Sequence, residues 1–254
     1  MYMKIGIIGI GELGSSLLKG LINSGVNTAE LVIYDKNANK TAAYSRTGIC
    51  IAKDAGEVVE DSTIIMLAVK PVDYGAVLSE IENKLDNAKI IISFMAGVSL
   101  NELNSLAKAR LFRAMPNITC AQNESPILLS SRSGQDPKQA IDVLSKLGKV
   151  VIINEQLMDG LTVLIGSGPA LIANIMESFY RFGVMKGLTP TDSKLLVNQL
   201  FLGTSKLALE IPYGDILEKI STPGGITARA LFEMEKRGIG GSIMDSMDST
   251  SNKR

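Results

Sequence analysis

The chain has 254 residues, 46% of them hydrophobic and 20% charged, and its 26 basic side chains balance its 26 acidic ones, so we expect a folded protein that does not bind nucleic acid. It contains no histidine, which excludes a Ser-His-Asp triad, an imidazole general base and a histidine-ligated metal. Cys50 and Cys120 are its only cysteines, too few for a disulfide framework or a metal cluster, so we expect a cytoplasmic protein without a bound metal.

Short β-branched runs alternate with amphipathic segments up to residue 154. Such runs are typical of strands buried on both faces of a parallel sheet, and the segments between them have apolar residues at helical spacing. Their order predicts a doubly wound α/β domain of the Rossmann type over residues 1–154. The predicted strands are 4–8, 31–34, 63–69, 90–94, 127–130 and 149–153, and the predicted helices include 13–24, 73–85 and 136–147.

After residue 154 the β-branched runs stop, and helical segments are predicted at about 155–187, 190–210 and 225–237. Pro169 is expected to break the first of them. The leucines of 194–210 cover more than one helical face, so residues 155–254 are predicted to form an all-helical domain that is covered by a second copy or by the first domain. We expect a homodimer or a larger oligomer built on dimers. No run approaches the ~18 to 20 apolar residues of a membrane helix, so no membrane is expected.

A glycine-rich segment directly follows the first predicted strand and opens a helix: Gly9-Ile10-Gly11-Glu12-Leu13-Gly14. In this context Gly9 permits a tight turn, Gly11 lets a pyrophosphate approach the backbone, and Gly14 lets helix and strand pack closely. The free N–H groups at the start of the helix would face the phosphates. The sequence therefore predicts a dinucleotide site at residues 9–14.

Asp35 lies just beyond the second predicted strand. A carboxylate at this position can bond both ribose hydroxyls and repels a 2′-phosphate, which favours NADH. Lys36 and Lys40 follow closely and leave NADPH open. The alternative interpretation is that Asp35 only caps the next helix.

Five further segments stand in the order and spacing of one family, and together with the glycine-rich segment they extend over nearly the whole chain. The chain thereby resembles pyrroline-5-carboxylate reductase, and the resemblance implies the reduction of 1-pyrroline-5-carboxylate to L-proline, the last step of proline biosynthesis, with NADPH or NADH. The segments are Ala68-Val69-Lys70-Pro71, Ser93-Phe94-Met95-Ala96-Gly97-Val98, Arg113-Ala114-Met115-Pro116-Asn117, Gly166-Ser167-Gly168-Pro169-Ala170 and Ser221-Thr222-Pro223-Gly224-Gly225-Ile226-Thr227.

The resemblance also implies roles for individual residues. Thr227 would contact the ring nitrogen of the substrate, and Glu210 would stabilise the iminium charge unless it is an ordinary surface glutamate. Asn117 would bond the nicotinamide carboxamide or the substrate, unless it only serves its own loop. The other implied substrate contacts are Thr222, Gly224, Gly225, Ile226 and Ser167, and the other implied cofactor contacts are Lys36, Ala68, Val69, Lys70, Pro71, Ala96 and Gly97.

This chemistry suits a chain without histidine, because a protonated cyclic imine already carries the positive charge that attracts hydride. The protein must chiefly hold the two reactants together and exclude water, for which hydroxyls and backbone N–H groups suffice.

The chain departs from the usual family pattern at Ile118, Thr119, Ile165 and Leu171, and Ser125 stands where glycine is usual. These departures leave two alternatives open. One is a related NAD(P)-dependent reductase for another imine or small carboxylate, and the other is a nucleotide-binding family member without catalytic activity.

Overall fold

The computed structural model describes residues 4–251. The chain divides into two compact units, of which the first ends at Ser167 and the second begins at Gly168. The domain limits 1–154 and 155–254 stay a prediction of the sequence.

The first unit is built on an eight-stranded sheet. Its strands are β1 Ile5–Ile8, β2 Leu31–Tyr34, β3 Cys50–Ile51, β4 Ile64–Leu67, β5 Ile90–Ser93, β6 Arg110–Met115, β7 Ser125–Ser131 and β8 Gly148–Ile152.

The strand order is β3-β2-β1-β4-β5-β6-β7-β8. Neighbouring strands run parallel from β3 to β6, β7 runs antiparallel to β6, and β8 runs parallel to β7. The order reverses between β1 and β4, as in a doubly wound fold, so the predicted fold class is confirmed. The sequence pattern does not predict β3, which has only two residues, or β6, whose apolar run is interrupted by Arg113.

Helices and short helical segments connect the strands. In the first unit the α-helices are α1 Glu12–Asn23, α2 Ala38–Ala42, α3 Ala55–Asp61, α4 Tyr74–Ile81, α5 Lys138–Leu144 and α6 Met158–Thr162, and a π-helical turn follows at Val163–Ser167. The 3₁₀ segments are Thr28–Glu30, Pro71–Asp73, Glu82–Lys84, Asn104–Leu106, Ile118–Gln122 and Glu155–Leu157.

The six inner strands are largely buried on both faces, because helices pack on each side of the sheet, whereas the edge strands β3 and β8 are mostly exposed. Ile5 and Ile7 of β1 point to the face that α1 and α5 cover, and Ile8 points to the face that α3 and α4 cover. This two-sided burial explains why the strands are nearly continuous apolar runs. The helix side chains in the two layers include Leu17, Leu18, Leu21 and Leu144 on the first face and Val58, Val59, Leu78 and Ile81 on the second.

The second unit is helical, with α7 Gly168–Met185, α8 Pro190–Leu207, α9 Tyr213–Ile220, α10 Ile226–Lys236 and α11 Ile239–Ser251. The sequence analysis did not predict α9 and α11. α7 and α8 pack through Gly183, where an added Cβ would overlap the Ser193 hydroxyl, which donates to the carbonyl of Tyr180 across 2.8 Å.

Very little of the apolar surface of the second unit is buried. Among its described residues, only Val197 and Ile216 are buried large apolar side chains. In contrast, Phe182 is 58% exposed, Leu195 66% and Phe232 65%. A unit with so little core needs a cover for these faces.

One helical stretch, Glu155–Met185, is long and apolar enough to cross a membrane by length and composition alone. The sequence analysis considered uninterrupted apolar runs, whereas this stretch qualifies by its mean hydropathy, since interspersed Gly, Ser and Thr residues interrupt the apolar run without making the stretch polar. The core helix of a soluble protein passes the same test, although only 11% of the apolar window is buried here.

Gly20 of α1 allows a close approach to the 3₁₀ segment Ile118–Gln122. A Cβ at Gly20 would overlap the carbonyl oxygen of Cys120. Two hydrogen bonds fix the contact: Asn23 Nδ2 donates to the carbonyl of Ala121 at 2.9 Å, and Asn123 Nδ2 donates to that of Gly20 at 2.7 Å.

We therefore expect Gly20→Ala to lower the free energy of unfolding by about 1–3 kcal/mol, because backbone must move to admit the methyl group. Gly75→Ala is the matched control, since it also lies in a helix but a Cβ there would meet nothing within 4 Å. It should raise stability by up to about 1 kcal/mol. Urea unfolding measures both, and equal effects would contradict the packing argument.

Candidate active site

The glycine-rich segment lies at the carboxyl end of β1, where the strand order reverses and open sheets bind ligands. Gly9 has φ of +98°, a conformation that side chains other than glycine rarely adopt, and a Cβ there would lie 2.7 Å from the carbonyl oxygen of Ala68. Its N–H donates to the carbonyl of Tyr34 at 2.8 Å. The turn is thus held between the ends of β2 and β4.

Gly14 and Gly11 have different structural roles in the turn. A Cβ at Gly14 would overlap the carbonyl oxygen of Gly9, so this position sets how closely α1 approaches β1. At Gly11 a Cβ would meet nothing within 4 Å, so the backbone there faces open space. Gly11 is the N-cap of α1 and provides no side-chain cap, which leaves the first N–H groups of the helix available to an anion. Glu12 and Leu13 form the first turn.

Asp35 braces the glycine-rich turn from the end of β2. Its Oδ2 accepts from the N–H of Ile10 at 2.8 Å, and its Oδ1 accepts from the N–H of Asn37 at 2.9 Å. The Lys40 ammonium lies 3.2 Å from Oδ2. The helix cap of α2 is Asn37, whose side chain accepts from the N–H of Asn39, so Asp35 does not cap that helix.

These contacts keep Asp35 ionised. Burial by itself would raise the pKa of the carboxyl, but the N–H groups of Asn37 and Ile10 and the Lys40 ammonium bring this pKa below its usual value. The pKa of Tyr34 is raised by burial and further by the carboxylates of Glu80, Asp54 and Asp35. Three carboxylates thus act on the Tyr34 hydroxyl at the end of β2.

A cavity of ≈ 310 Å³ opens beside this turn. Both lysines that could favour a 2′-phosphate are paired in it, Lys40 with Asp35 and Lys36 with Asp73 at 2.6 Å. Its lining comprises Ile8, Gly9, Gly11, Tyr34, Asp35, Lys36, Lys40, Ala68, Val69, Lys70, Asp73, Ala76, Val77 and Glu80.

The loops after β4 and β5 border the same edge of the sheet. Lys70 is extended and precedes Pro71, which starts a 3₁₀ segment, as the proline predicts. After β5, Ala96 and Gly97 form the centre of a turn in which Gly97 has φ of +72°. The structure thus brings Ala68, Val69, Lys70 and Pro71, together with Ala96 and Gly97, to the carboxyl edge that carries the glycine-rich turn.

Asn117 follows β6 and is 6% exposed. Its Oδ1 accepts from the N–H and the hydroxyl of Thr119, at 2.8 and 2.6 Å, which caps the 3₁₀ segment Ile118–Gln122. Its Nδ2 donates to the carbonyl of Ile165 at 2.9 Å. The amide is therefore engaged with the protein at both ends, while Ile118 is 54% exposed.

Ser167 ends the π-helical turn and is exposed, whereas Ile165 is buried. Ile165 packs with Met115, Leu128 and Met158. The departure from the family pattern at Ile165 therefore lies in a small apolar cluster.

In the second unit, the segment 221–227 leads into α10. Gly225 is the N-cap of α10 without a side-chain cap, and its N–H donates to the carbonyl of Thr222 at 2.9 Å. Gly224 has φ of +73°, and Ile226 is 80% exposed. The first N–H groups of α10 and the hydroxyl of Thr227 in its first turn thus surround one helix end.

Two other predicted positions of the second unit lie apart from segment 221–227 in the sequence. Glu210 is exposed in the turn that follows α8. Leu171 lies on α7, beside a groove that Ile175 and Ile239 also line.

The similarity to known proteins covers the whole chain. The family described as pyrroline-5-carboxylate reductase dimerisation matches residues 155–254, and that described as NADP oxidoreductase, coenzyme F420-dependent, matches residues 4–97. The pyrroline-5-carboxylate reductase of Methanosarcina acetivorans is 32% identical over 98% of this chain and 96% of its own length. The chain belongs to the pyrroline-5-carboxylate reductase family.

Other members agree in sequence and in fold. The pyrroline-5-carboxylate reductase of Escherichia coli is 30% identical over 100% of this chain and 97% of its own. The crystal structure of Plasmodium falciparum pyrroline carboxylate reductase with NADP bound has a TM-score of 0.87 and 27% identity, and covers 98% of this chain and 95% of that one. The resemblance predicted from the motifs is confirmed.

The position of Asp35 predicts how the protein discriminates between cofactors. Asp35→Asn removes the charge but keeps an oxygen acceptor for the glycine-rich turn, and Asp35→Ser removes both. We expect each to raise the ratio of NADPH to NADH affinity by about tenfold, since one unfavourable charge contact of the 2′-phosphate is lost. Asp35→Ser should also weaken NADH, because the N–H of Ile10 loses its acceptor.

Fluorescence titration with each cofactor measures the two affinities. Asp61→Asn is the control, because Asp61 is an exposed carboxylate at the end of α3. Because the pKa of Asp35 is lowered, the preference of the unaltered protein should not change across the neutral pH range. An unchanged ratio in both Asp35 variants would remove this residue from the ribose site.

Proposed function

We infer that this protein catalyses the NAD(P)H-dependent reduction of 1-pyrroline-5-carboxylate to L-proline. The observation that carries the inference is that the whole chain matches pyrroline-5-carboxylate reductases while the sheet presents a glycine-rich turn, Asp35 and the β4 loop around one cavity. The parts of a dinucleotide site thus stand together. The protein belongs to biosynthetic metabolism on this proposal.

The residues that would hold the cofactor follow from this geometry. The uncapped N–H groups at the start of α1 would bind the pyrophosphate beside Gly11, where nothing obstructs it. Asp35 would accept from the ribose hydroxyls, and Lys36 lies beside it. The loops of Ala68–Pro71 and Ala96–Gly97 would border the nicotinamide, which supplies the hydride when bound.

The segment 221–227 would bind the substrate. The start of α10 favours an anion, which fits the carboxylate of the cyclic imine, with Thr222, Gly224, Gly225 and Ile226 contributing backbone or side-chain contacts. The Thr227 hydroxyl would accept from the iminium N–H. As hydride adds to the imine carbon, the electrons of the C=N bond move to nitrogen, and the neutral amine of proline forms. Glu210 remains a proposed stabiliser of the iminium charge.

Oxidation of NADH and of NADPH, followed by absorbance with 1-pyrroline-5-carboxylate, tests the proposal. Turnover should reach ~1 per second or faster. Thr227→Ala should lower kcat about tenfold, the effect of one lost hydrogen bond, with little change in cofactor affinity. Thr47→Ala, in an exposed loop, is the control. No turnover by the folded protein with either cofactor would disprove the proposed function, and an equal loss of cofactor affinity in Thr227→Ala would remove Thr227 from the substrate site.

We further propose a homodimer, or a larger oligomer built on dimers, through the second unit. Its exposed apolar faces lie within the region that matches the dimerisation family, and a second copy would bury them. The stretch Glu155–Met185 falls in the same region, so an interface explains its composition without a membrane. The free thiols of Cys50 and Cys120 support a cytoplasmic location.

Light scattering should give at least twice the 27.1 kDa mass of the chain. Phe182→Glu on α7 and Leu196→Glu on α8 place charges on exposed apolar positions, and at least one of them should yield monomers. Lys194→Glu, a polar position on α8, should not. A monomeric unaltered protein, or two variants that both keep the dimer mass, would contradict this interface.

A further inference from the structure

A hydrogen bond joins two motifs that lie far apart in the sequence. Asn117 Nδ2 donates to the carbonyl of Ile165 in the π-helical turn across 2.9 Å, and both residues are buried. In an α-helix, the N–H of residue 169 would donate to this carbonyl. Residue 169 is proline, which has no N–H. Pro169 therefore cannot supply the donor four residues on, whereas Asn117 does donate to this carbonyl.

Asn117 is oriented for this bond by its other contacts. Its Oδ1 accepts from the N–H and the hydroxyl of Thr119, and its own N–H donates to the Ser125 hydroxyl at 3.0 Å. The oxygen end of the amide is thereby fixed toward the 3₁₀ segment, so the nitrogen end faces the π-helical turn. Ser125, which departs from the family pattern, thus supports the backbone of Asn117.

The π-helical turn is anchored on two sides. The Ile165 side chain packs against Met115, Leu128 and Met158, and its carbonyl is held by Asn117. Two residues later Ser167 is exposed at the end of the turn. A turn fixed at Ile165 presents Ser167 in one orientation, and π-helical turns are frequent at functional sites.

We propose that Asn117 is a positioning residue of the reductase: it holds the π-helical turn through the Ile165 carbonyl and so sets the orientation of Ser167, instead of bonding substrate or cofactor itself. Ser167 is one of the substrate contacts that the family resemblance implies, and its role toward a ligand rests on the proposed function. The hydrogen bond and its effect on the turn do not, so the two can be tested separately.

Asn117→Asp distinguishes the two contacts of this side chain, the cap of the 3₁₀ segment and the bond to the Ile165 carbonyl. It keeps the oxygen that accepts from Thr119, but it removes the amide donor and places a carboxylate oxygen against the Ile165 carbonyl. We expect backbone amides of residues 163–168 to exchange hydrogen faster, kcat to fall by about tenfold or more through misplacement of Ser167, and cofactor affinity to stay unchanged. Asn27→Asp is the matched control, because Asn27 also caps a 3₁₀ segment, by accepting from the N–H of Ala29 at 3.0 Å.

Pro169→Ala tests the same hydrogen bond without changing Asn117, since it gives residue 169 an N–H that competes for the Ile165 carbonyl. It also serves if Asn117→Asp does not fold. Hydrogen exchange of 163–168 should differ from that of the unaltered protein, and the losses of kcat in Asn117→Ala and Pro169→Ala should not add in the double variant.

Hydrogen exchange needs no substrate, so it tests the effect of Asn117 on the π-helical turn even if 1-pyrroline-5-carboxylate is not turned over. Unchanged exchange at 163–168 in both Asn117→Asp and Pro169→Ala would overturn the proposal. So would a loss of cofactor affinity in Asn117→Asp as large as the loss of kcat, because Asn117 would then act on the ligand directly.

Discussion

The close approach of α1 to the end of β1 is the constraint on which the candidate cofactor site depends. It exists because Gly14 has no side chain where the carbonyl oxygen of Gly9 lies, and because the N–H of Ile10 is bonded to the carboxylate of Asp35. The same contact places the uncapped start of α1 at the carboxyl ends of β1 and β4, where the strand order reverses. One packing arrangement thus sets both how closely α1 lies to β1 and where the candidate anion site lies.

The two units of the chain solve the problem of burial differently. In the first, helices cover both faces of the sheet, and most large apolar side chains are inside. In the second, large apolar side chains such as Phe182 and Phe232 stay more than half exposed. The homodimer proposed above would bury these faces against a second copy.

The buried arginine of the first unit forms ion pairs with two carboxylates. Arg113 of β6 is only 1% exposed, and its guanidinium lies 2.5 Å from Asp159 and 3.5 Å from Glu155. Glu155 in turn accepts from the N–H of Leu100 at 2.6 Å. A buried arginine requires such partners, so this group ties the helical segment 155–162 to β6 and to the loop after β5.

The sequence by itself determined most of the fold, because local patterns decided it: continuous apolar runs predicted six strands, and the strand followed by glycines and a helix predicted the dinucleotide turn. It did not reveal β6, whose buried Arg113 looks unlike a core residue until Glu155 and Asp159 are seen beside it. It did not reveal α9 and α11 either. Only the tertiary structure decided that Asn117 is bonded to Ile165 and that Asp35 braces Ile10, because these contacts join residues 48 and 25 positions apart. Local propensity carries no information about which distant backbone group a side chain will bond.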